Sequence, residues 1–216
     1  QTQIPDQMTA VVLDSYSGAE ALRVEQRPVP KPGKDEVLVK VAASPINPSD
    51  LAFLDGNYGF DKSPPVVPGG EGSGTVVAVG PGAMGRYFLG KQVACLSNGE
   101  RDGTWAEYVV SSTKGGVFPL NQSVSLEQGA MSVINPLTGS AFLEITKDGG
   151  HKAIVLTAAA SALGQMVNRL GRSEGVQVIN IVRRDAQVEL LKAQGATVVL
   201  NSSDADFDKQ LHDACH

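Results

Sequence analysis

The stretch AIVLTAAASALGQMVNRL, residues 153–170, decides the fold of the second half of the chain. Ala153–Thr157 has the apolar composition of a buried strand, and Ala162–Leu170 has the spacing of a helix. Between them, small residues occupy the three glycine positions of a dinucleotide-binding loop, namely Ala159, Ser161 and Gly164. Small side chains let a pyrophosphate approach the backbone, and the helix N-terminus supplies N–H donors. The predicted cofactor-binding residues of this loop are Ala159, Ala160, Ser161, Ala162, Leu163 and Gly164.

The alternation of strand and helix continues after this loop. Val176–Val182 and Thr197–Leu200 are predicted strands, and between them Ala186–Ala193 is a helix that Gly195 ends. Such βαβ units imply a parallel sheet. A doubly wound nucleotide domain has about six strands, whereas only three are predicted here. We therefore expect a truncated or incomplete chain, the alternative being a minimal domain that pairs with another chain.

Two arginines follow the second of these strands, in the run IVRR at 181–184. A site that prefers NAD has Asp or Glu near this point, which binds the ribose 2′-hydroxyl. Arg183 and Arg184 instead suit a 2′-phosphate, because the guanidinium group is planar and can form two parallel hydrogen bonds. The alternative is a pair of solvated arginines at the end of a strand. The loop upstream favours the phosphate, and the predicted cofactor is NADPH.

The first half of the chain is rich in glycine, proline and short β-branched runs. The strands predicted there are Thr9–Leu13, Val37–Val41, Gly74–Val79, Gln92–Leu96 and Trp105–Val110. Helices are predicted at Pro48–Asp55, Leu126–Ala130 and Pro136–Ile145. The chain is therefore predicted to be a β-rich domain over residues 8–122, followed by the first part of a parallel α/β domain over residues 123–216.

Composition excludes several other classes of protein. The 216 residues carry a formal net charge of −5, which argues against nucleic acid as the main partner. No apolar run is long enough for a membrane span, and the first residues lack the order of a signal peptide. Two cysteines, Cys95 and Cys215, are too few for a disulfide framework and favour a reducing compartment. Cys95 is predicted to be a packed core thiol.

Several motifs together resemble the GroES-like catalytic domain of medium-chain dehydrogenase/reductases. They are SPINPSD at 44–50, GNYG at 56–59, PGGEGSG at 68–74 and GTWAEY at 103–108. The resemblance extends over almost the whole chain from Met8 onward, and it implies a GroES-like domain followed by a Rossmann-type domain. Zinc alcohol dehydrogenases of that superfamily carry Cys near Asn47 and His-Glu where this chain has Gly70-Glu71. We therefore predict a protein that binds no metal.

Within the zinc-free branch, the pattern resembles that of 2-enoyl thioester reductases. The matching residues are those around Asn47 and Tyr58, the run NPLT at 135–138, and Arg183-Arg184. The resemblance implies that Tyr58 is the catalytic residue and that Asn47, Asn135 and Thr138 lie near the nicotinamide end of the cofactor. A protonated tyrosine can stabilise a developing enolate or give it a proton. The alternative for Tyr58 is a surface aromatic without chemistry.

The predicted function is an NADPH-dependent reductase of an activated C=C bond, in a 2-enoyl thioester or an enone. The alternatives are an NADPH:quinone oxidoreductase and, from another class, an NADPH-binding sensor or structural relative without turnover. We expect small-molecule substrates, no nucleic acid or membrane partner, and a homodimer of the full-length protein, as in family relatives. The expected compartment is the cytoplasm, or the mitochondrial matrix if the protein is eukaryotic.

Overall fold

The computed structural model describes residues 3–59, 62–97, 99 and 101–215. The chain divides into two compact units, Gln1–Val133 and Ile134–His216, and each contains its own apolar clusters. No helix in the described ranges is both long enough and apolar enough to cross a membrane.

The first unit is built on β-sheets. Its elements are β1 (Gln7–Leu13), β2 (Leu22–Pro28), β3 (Glu36–Ala43), α1 (Pro48–Leu54), β4 (Glu71–Val79), α2 (Gly85–Phe88), β5 (Gln92–Leu96), β6 (Tyr108–Ser112), β7 (Val117–Pro119) and α3 (Leu126–Ala130), with a 3-10 turn at Ala19–Ala21. Strands β1 and β2 form an antiparallel pair, and a five-stranded sheet has the order β6-β3-β4-β5-β7.

Alternating valines explain the main core of this unit. Val37 and Val39 of β3 are fully buried and pack with Val76 of β4 and with Val93 and Cys95 of β5. Burying such side chains stabilises the fold by about 1.5–3 kcal/mol each.

Strands β3 and β4 approach each other unusually closely at Gly74. A Cβ added there would lie 2.0 Å from the carbonyl oxygen of Lys40. The register shifts nearby, between Val41 and Ala43, so the strand bulges before it leads into α1.

The second unit alternates helix and strand. Its elements are α4 (Ile134–Asp148), β8 (Ala153–Leu156), α5 (Ala162–Glu174), β9 (Gln177–Val182), α6 (Asp185–Ala193), β10 (Val198–Asn201) and α7 (Phe207–Cys215). The three strands are parallel, in the order β10-β9-β8. The core between sheet and helices includes Leu143, Leu156, Val167 and Leu191. The predicted fold class, a GroES-like unit followed by a Rossmann-type parallel α/β unit, is confirmed.

Some elements differ from those predicted. The strand predicted from Trp105 begins only at Tyr108, because the backbone N–H groups of Thr104 and Trp105 donate to the carbonyls of Gly69 and Pro68, in a segment distant along the chain. Strand β2 was not predicted because four of the seven residues in its run LRVEQRP are polar and four are exposed. Helix α7 was not predicted either, and it contains no buried residue.

Candidate functional site

The turn after β8 and the ends of β9 and β10 meet at the carboxyl edge of the parallel sheet. The backbone N–H of Ala159 donates to the carbonyl of Ile181 at 3.3 Å, and that of Ser202 donates to the carbonyl of Val182 at 2.8 Å. Ligands of open α/β sheets bind at this edge. The structure therefore brings the predicted loop, Ala159–Gly164, to the same edge as Arg183.

The loop geometry matches what a phosphate group needs. Ala158 adopts a left-handed conformation, with φ of 49°, which turns the chain out of the strand. Ser161 is the N-cap of α5, and its Oγ accepts the N–H of Gly164 at 3.1 Å. The first-turn N–H groups of Ala162 and Leu163 have no acceptor among the described residues. These donors can bind an anion at the positive end of the helix dipole.

Gly164 allows the helix to approach the loop. A Cβ added at this position would lie 2.2 Å from the carbonyl oxygen of Ala159, which is a backbone atom and cannot move aside easily. The other predicted loop residue, Ala160, is half-buried. Of the three motif positions, only 164 is a glycine, and there helix α5 contacts the loop backbone directly.

Arg183 and Arg184 follow β9 and are both exposed. Neither forms an ion pair with a carboxylate in the described part of the chain. The nearest acidic residue in sequence, Asp185, accepts a hydrogen bond from Asn201 Nδ2 at 2.8 Å. Ser203, two residues after the end of β10, donates its hydroxyl to the carbonyl of Arg183 at 3.2 Å. The pair therefore keeps its positive charge available for a phosphate.

Asn135 and Thr138 lie in the first turns of α4. Position 139, a glycine, faces Leu163 and Val167 of α5, and Lys147 near the end of α4 pairs with Glu174 at the end of α5 at 2.7 Å. The two helices therefore run in the same direction, and both begin on the side of the nucleotide loop. Thr138 donates its hydroxyl to the carbonyl of Ile134 at 2.8 Å, so only its oxygen lone pairs remain for a ligand.

Asn47 belongs to a polar cluster of the first unit that joins the start of α1 to the start of β4. Its side-chain Nδ2 donates to Oε1 of Glu71 at 2.9 Å, and its backbone N–H donates to Oδ2 of Asp50 at 2.7 Å. The other oxygen of Asp50 accepts the N–H of Gly70 at 3.2 Å. Burial raises the pKa of the Asp50 carboxyl, and the two backbone N–H groups partly offset that effect.

Tyr58 lies in the loop after α1, and its side chain is 42% exposed. The turn leading to it is closed by a hydrogen bond from the N–H of Asn57 to the carbonyl of Ala52 at 2.8 Å. Helix α1 separates Asn47 from Tyr58 by about 10 Å of helix axis, at 1.5 Å per residue. The two residues are thus placed at opposite ends of one short helix.

Sequence reasoning missed the roles of Asp50, Glu71 and Ser203. Asp50 could have been found, since an acid three residues after an N-cap is a capping signal. Glu71 gives no such signal, because its burial depends on contacts with residues distant in the chain. Ser203 reaches Arg183 only through strand pairing.

Groups of three or more His, Cys, Asp or Glu side chains that could hold a metal ion do not occur in the described ranges. That the protein needs no metal stays a prediction.

The two units define a class of protein, a GroES-like β unit joined to a nucleotide-type α/β unit. Residues 33–122 match the model of the alcohol dehydrogenase GroES-like domain family. The chain is 32% identical over 90% of its length to a mitochondrial enoyl-[acyl-carrier-protein] reductase of Arabidopsis thaliana, and 29% identical over 96% to an alcohol dehydrogenase of Schizosaccharomyces pombe. The resemblance to medium-chain dehydrogenase/reductases of the quinone oxidoreductase and enoyl reductase kind is thereby confirmed.

Solved structures agree with this assignment. A Mesorhizobium loti protein assigned as an NADPH:quinone reductase superposes with a TM-score of 0.90 at 38% identity, over 99% of this chain and 65% of the other. A mycobacterial protein complexed with NADPH superposes with a TM-score of 0.80 at 28% identity, over 93% of this chain and 61% of the other. The chain spans 64% and 52% of the S. pombe and A. thaliana relatives.

Proposed function

We propose that the protein is an NADPH-dependent reductase of an activated C=C bond, in an enone or a 2-enoyl thioester, with Tyr58 as proton donor. One observation carries the proposal. The carboxyl edge of the parallel sheet presents a helix N-terminus with free N–H donors beside Arg183 and Arg184, which have no carboxylate partner among the described residues. That combination suits a pyrophosphate and a 2′-phosphate of one dinucleotide.

The residues fit the cofactor in their chemistry. Ala162 and Leu163 would donate backbone N–H groups to the pyrophosphate, and the close contact at Gly164 keeps that surface free of side chain. Arg183 and Arg184 would bind the 2′-phosphate. Asn47, Asn135 and Thr138 would lie near the nicotinamide end. The mycobacterial neighbour that is complexed with NADPH supports this choice of cofactor.

When bound, NADPH would supply a hydride to the β-carbon of the α,β-unsaturated carbonyl. Tyr58 would stabilise the enolate oxygen through its O–H and deliver a proton to the α-carbon, and water would return the proton to the phenolate. With 42% of its surface exposed, the Tyr58 side chain can be reached by a substrate.

Quinone reduction is the second candidate function. The structural neighbour from M. loti, at 38% identity, is assigned as an NADPH:quinone reductase. A quinone accepts hydride at a position conjugated to a carbonyl, so the same cofactor side of the site would serve either substrate.

The test is a panel of quinones, enones and 2-enoyl thioesters, with oxidation of NADPH or NADH followed by absorbance. We expect NADPH to bind at least about tenfold more tightly than NADH, because one charge-assisted bond contributes roughly 1.5–3 kcal/mol. Turnover of the thioester or enone supports the first candidate, and turnover of quinones alone supports the second.

Two outcomes would contradict the proposal. Equal affinity for NADPH and NADH would remove the role of the arginine pair. Tight NADPH binding without turnover of any of the panel would indicate a sensor or structural relative. The homodimer and the compartment stay predictions.

A further inference from the structure

Asn201, the last residue of β10, is buried, with 8% of its surface exposed. Both ends of its side chain are used. Nδ2 donates to Oδ1 of Asp185 at 2.8 Å, and Oδ1 accepts the backbone N–H of Ser203 at 3.0 Å. An amide turned the other way round would place its oxygen against the carboxylate and its NH2 against the N–H. The direction of the Asn201 amide is therefore fixed.

Asp185 is the first residue of α6, and it directly follows Arg183 and Arg184. It is exposed, so its carboxylate is open to the long arginine side chains beside it. In the part of the chain that the structure describes, however, neither arginine forms an ion pair. The carboxylate accepts the hydrogen bond of the buried Asn201 amide instead.

This bond holds the Asp185 carboxylate on the β10 side of β9. Strand β9 lies between β10 and β8. The nucleotide loop, which follows β8, reaches β9 from the other side, where the N–H of Ala159 donates to the carbonyl of Ile181 at 3.3 Å. The carboxylate is therefore held away from the nucleotide loop.

The backbone of Arg183 is fixed in the same turn. Its N–H donates to Oε1 of Gln187 at 3.2 Å, and its carbonyl accepts the hydroxyl of Ser203 at 3.2 Å. The described residues give its guanidinium group neither a hydrogen-bond acceptor nor a carboxylate partner. The main chain is thus anchored, while the charged group is left for a ligand.

We infer that Asn201 is a positioning residue, which keeps the Asp185 carboxylate off the two arginines and so maintains the preference of the site for a 2′-phosphate. The inference rests on the proposed function, in which Arg183 and Arg184 bind that phosphate. Without the amide, the carboxylate would pair with an arginine, and an incoming phosphate would have to displace it and would be repelled by it. A ribose 2′-hydroxyl carries no charge, so NADH binding would hardly respond.

The experiment measures affinity by calorimetric titration for the wild type, Asn201→Ser and Asn201→Ala. Serine still accepts the N–H of Ser203, because it forms the same local turn as asparagine, but it lacks the NH2 group that donates to Asp185. NADPH affinity should fall by about 3- to 10-fold in both variants, and NADH affinity should stay within about twofold. Adenosine 2′,5′-bisphosphate and 5′-AMP should show the same difference, because only the first carries the 2′-phosphate.

A second substitution, Asp185→Asn, separates this role from plain support of the turn. It removes the carboxylate, so in the Asn201→Ser and Asn201→Ala backgrounds NADPH affinity should return to within about twofold of the wild type. In the wild-type background, where the carboxylate is already held, it should change NADPH affinity by less than about twofold. If Asn201 only supported the turn, Asp185→Asn would give no such recovery.

The matched control is Thr146→Val. Thr146 is buried in α4 of the same unit, and its hydroxyl donates to the carbonyl of Phe142 at 2.7 Å. This variant loses a buried hydrogen bond without releasing a carboxylate, so the ratio of NADPH to NADH affinity should not change.

An unchanged ratio in both Asn201 variants would overturn the inference. An equal gain from Asp185→Asn in the wild-type and Asn201→Ala backgrounds would also overturn it. A wild type that binds adenosine 2′,5′-bisphosphate no more tightly than 5′-AMP would instead refute the role of the arginines in the proposed function, and this inference with it. If Asn201→Ala does not fold, Asn201→Ser with and without Asp185→Asn provides the same test.

Discussion

Asn168 and Asn180 form a reciprocal pair of side-chain hydrogen bonds between α5 and β9. Nδ2 of Asn168 donates to Oδ1 of Asn180 at 2.6 Å, and Nδ2 of Asn180 donates to Oδ1 of Asn168 at 3.0 Å. Both side chains are buried, with 6% and 0% of their surfaces exposed. Asn180 also donates to the carbonyls of Val178 and Val198. The pair therefore fixes the helix that carries the nucleotide loop relative to the sheet.

Removing one member of this pair should lower the free energy of unfolding more than removing the other member afterwards does. Asn168→Ala leaves a buried amide unpaired, so the free energy of unfolding should fall by about 1–3 kcal/mol. In the double variant Asn168→Ala with Asn180→Val no buried amide remains, and the loss should be smaller than the sum of the two single losses. Urea denaturation of the four proteins measures this coupling. Additive losses would mean that the pair contributes nothing beyond two separate contacts.

Two substitutions in the nucleotide loop test how its backbone geometry affects stability and NADPH binding. Gly164→Ala places a Cβ 2.2 Å from the Ala159 carbonyl oxygen, so we expect a loss of about 1–3 kcal/mol in stability and weaker NADPH binding. Ala158→Gly removes the strain of an alanine in the left-handed conformation, but it increases the conformational entropy of the unfolded chain. These effects offset each other, and stability should stay within about 1 kcal/mol of the wild type. Thermal unfolding and NADPH titration measure both variants.

A control within the same unit is Gly139→Ala, where the nearest atoms to the added Cβ are side-chain methyl groups of Leu170, Val167 and Leu163 at 3.3, 3.5 and 3.8 Å. A Gly164→Ala protein as stable as the Gly139→Ala protein would contradict the close-contact argument.

The parts of the fold that could be predicted are those in which local pattern and tertiary packing agree. Strand β5 and helix α3 have the predicted bounds, because apolar alternation and a capping signal determine them locally. Strand β2 and helix α7 could not be predicted in this way. Their side chains are mainly exposed, so their stability comes from backbone pairing and helix propensity rather than from an apolar pattern.

The Cys95 thiol should be unreactive in the folded protein. Its side chain is fully buried, and burial together with the nearby Glu71 charge raises its pKa to about 12. Cys215 is exposed. At pH 8, a thiol reagent should therefore label one cysteine quickly and the second only after unfolding, and Cys215→Ser should remove the fast reaction. Fast labelling of that variant would contradict the burial of Cys95.

The same shift predicts how stability depends on pH. In the unfolded chain Cys95 loses its proton near pH 8.5, whereas in the folded protein it keeps the proton up to about pH 12. Its contribution to stability is fully present below about pH 8.5 and is lost as the pH rises toward 12. The fall in unfolding free energy between pH 8 and pH 10 should therefore be smaller in Cys95→Ala than in the wild type. An equal fall in both proteins would assign the effect to other groups.

The residues of the candidate site also differ in whether they could be predicted from the sequence. Loop residues and arginines could be identified from the sequence, because small residues and a basic pair at fixed spacing after a strand have a direct chemical meaning. Glu71 could not, because its contact with Asn47 spans 24 residues of the chain. Asp50 gives a local capping signal, but its bond to Gly70, 20 residues away, could not be predicted. Reasoning from sequence therefore finds candidate ligand-binding groups more readily than the buried polar groups that surround a site.

Tyr58→Phe removes only the hydroxyl of the proposed proton donor. If Tyr58 protonates the enolate, turnover of an enone or enoyl thioester should fall by about 100-fold or more, while NADPH affinity stays within about twofold. Because 42% of the side chain is exposed and only one oxygen atom is removed, thermal stability should change little. Tyr87→Phe is the matched control, since Tyr87 is also exposed and lies on α2. Unchanged turnover in Tyr58→Phe would remove the proton-donor role but not a quinone reductase activity.

Arg183→Gln and Arg184→Gln test the source of the preference for NADPH. Each substitution removes one positive charge from an exposed side chain that has no ion-pair partner in the described part of the chain, so stability should change by less than about 0.5 kcal/mol. NADPH affinity should fall by about 10- to 100-fold for whichever arginine binds the phosphate, and NADH affinity should stay the same. The NADPH affinity of the wild type should also weaken with added salt more steeply than that of the variant, since a charge pair is screened.

Lys192→Gln controls for net charge, because that exposed lysine lies at the far end of α6 from the two arginines. Loss of NADPH and NADH affinity in equal measure would show that the arginines act on the shared part of the cofactor rather than on the 2′-phosphate.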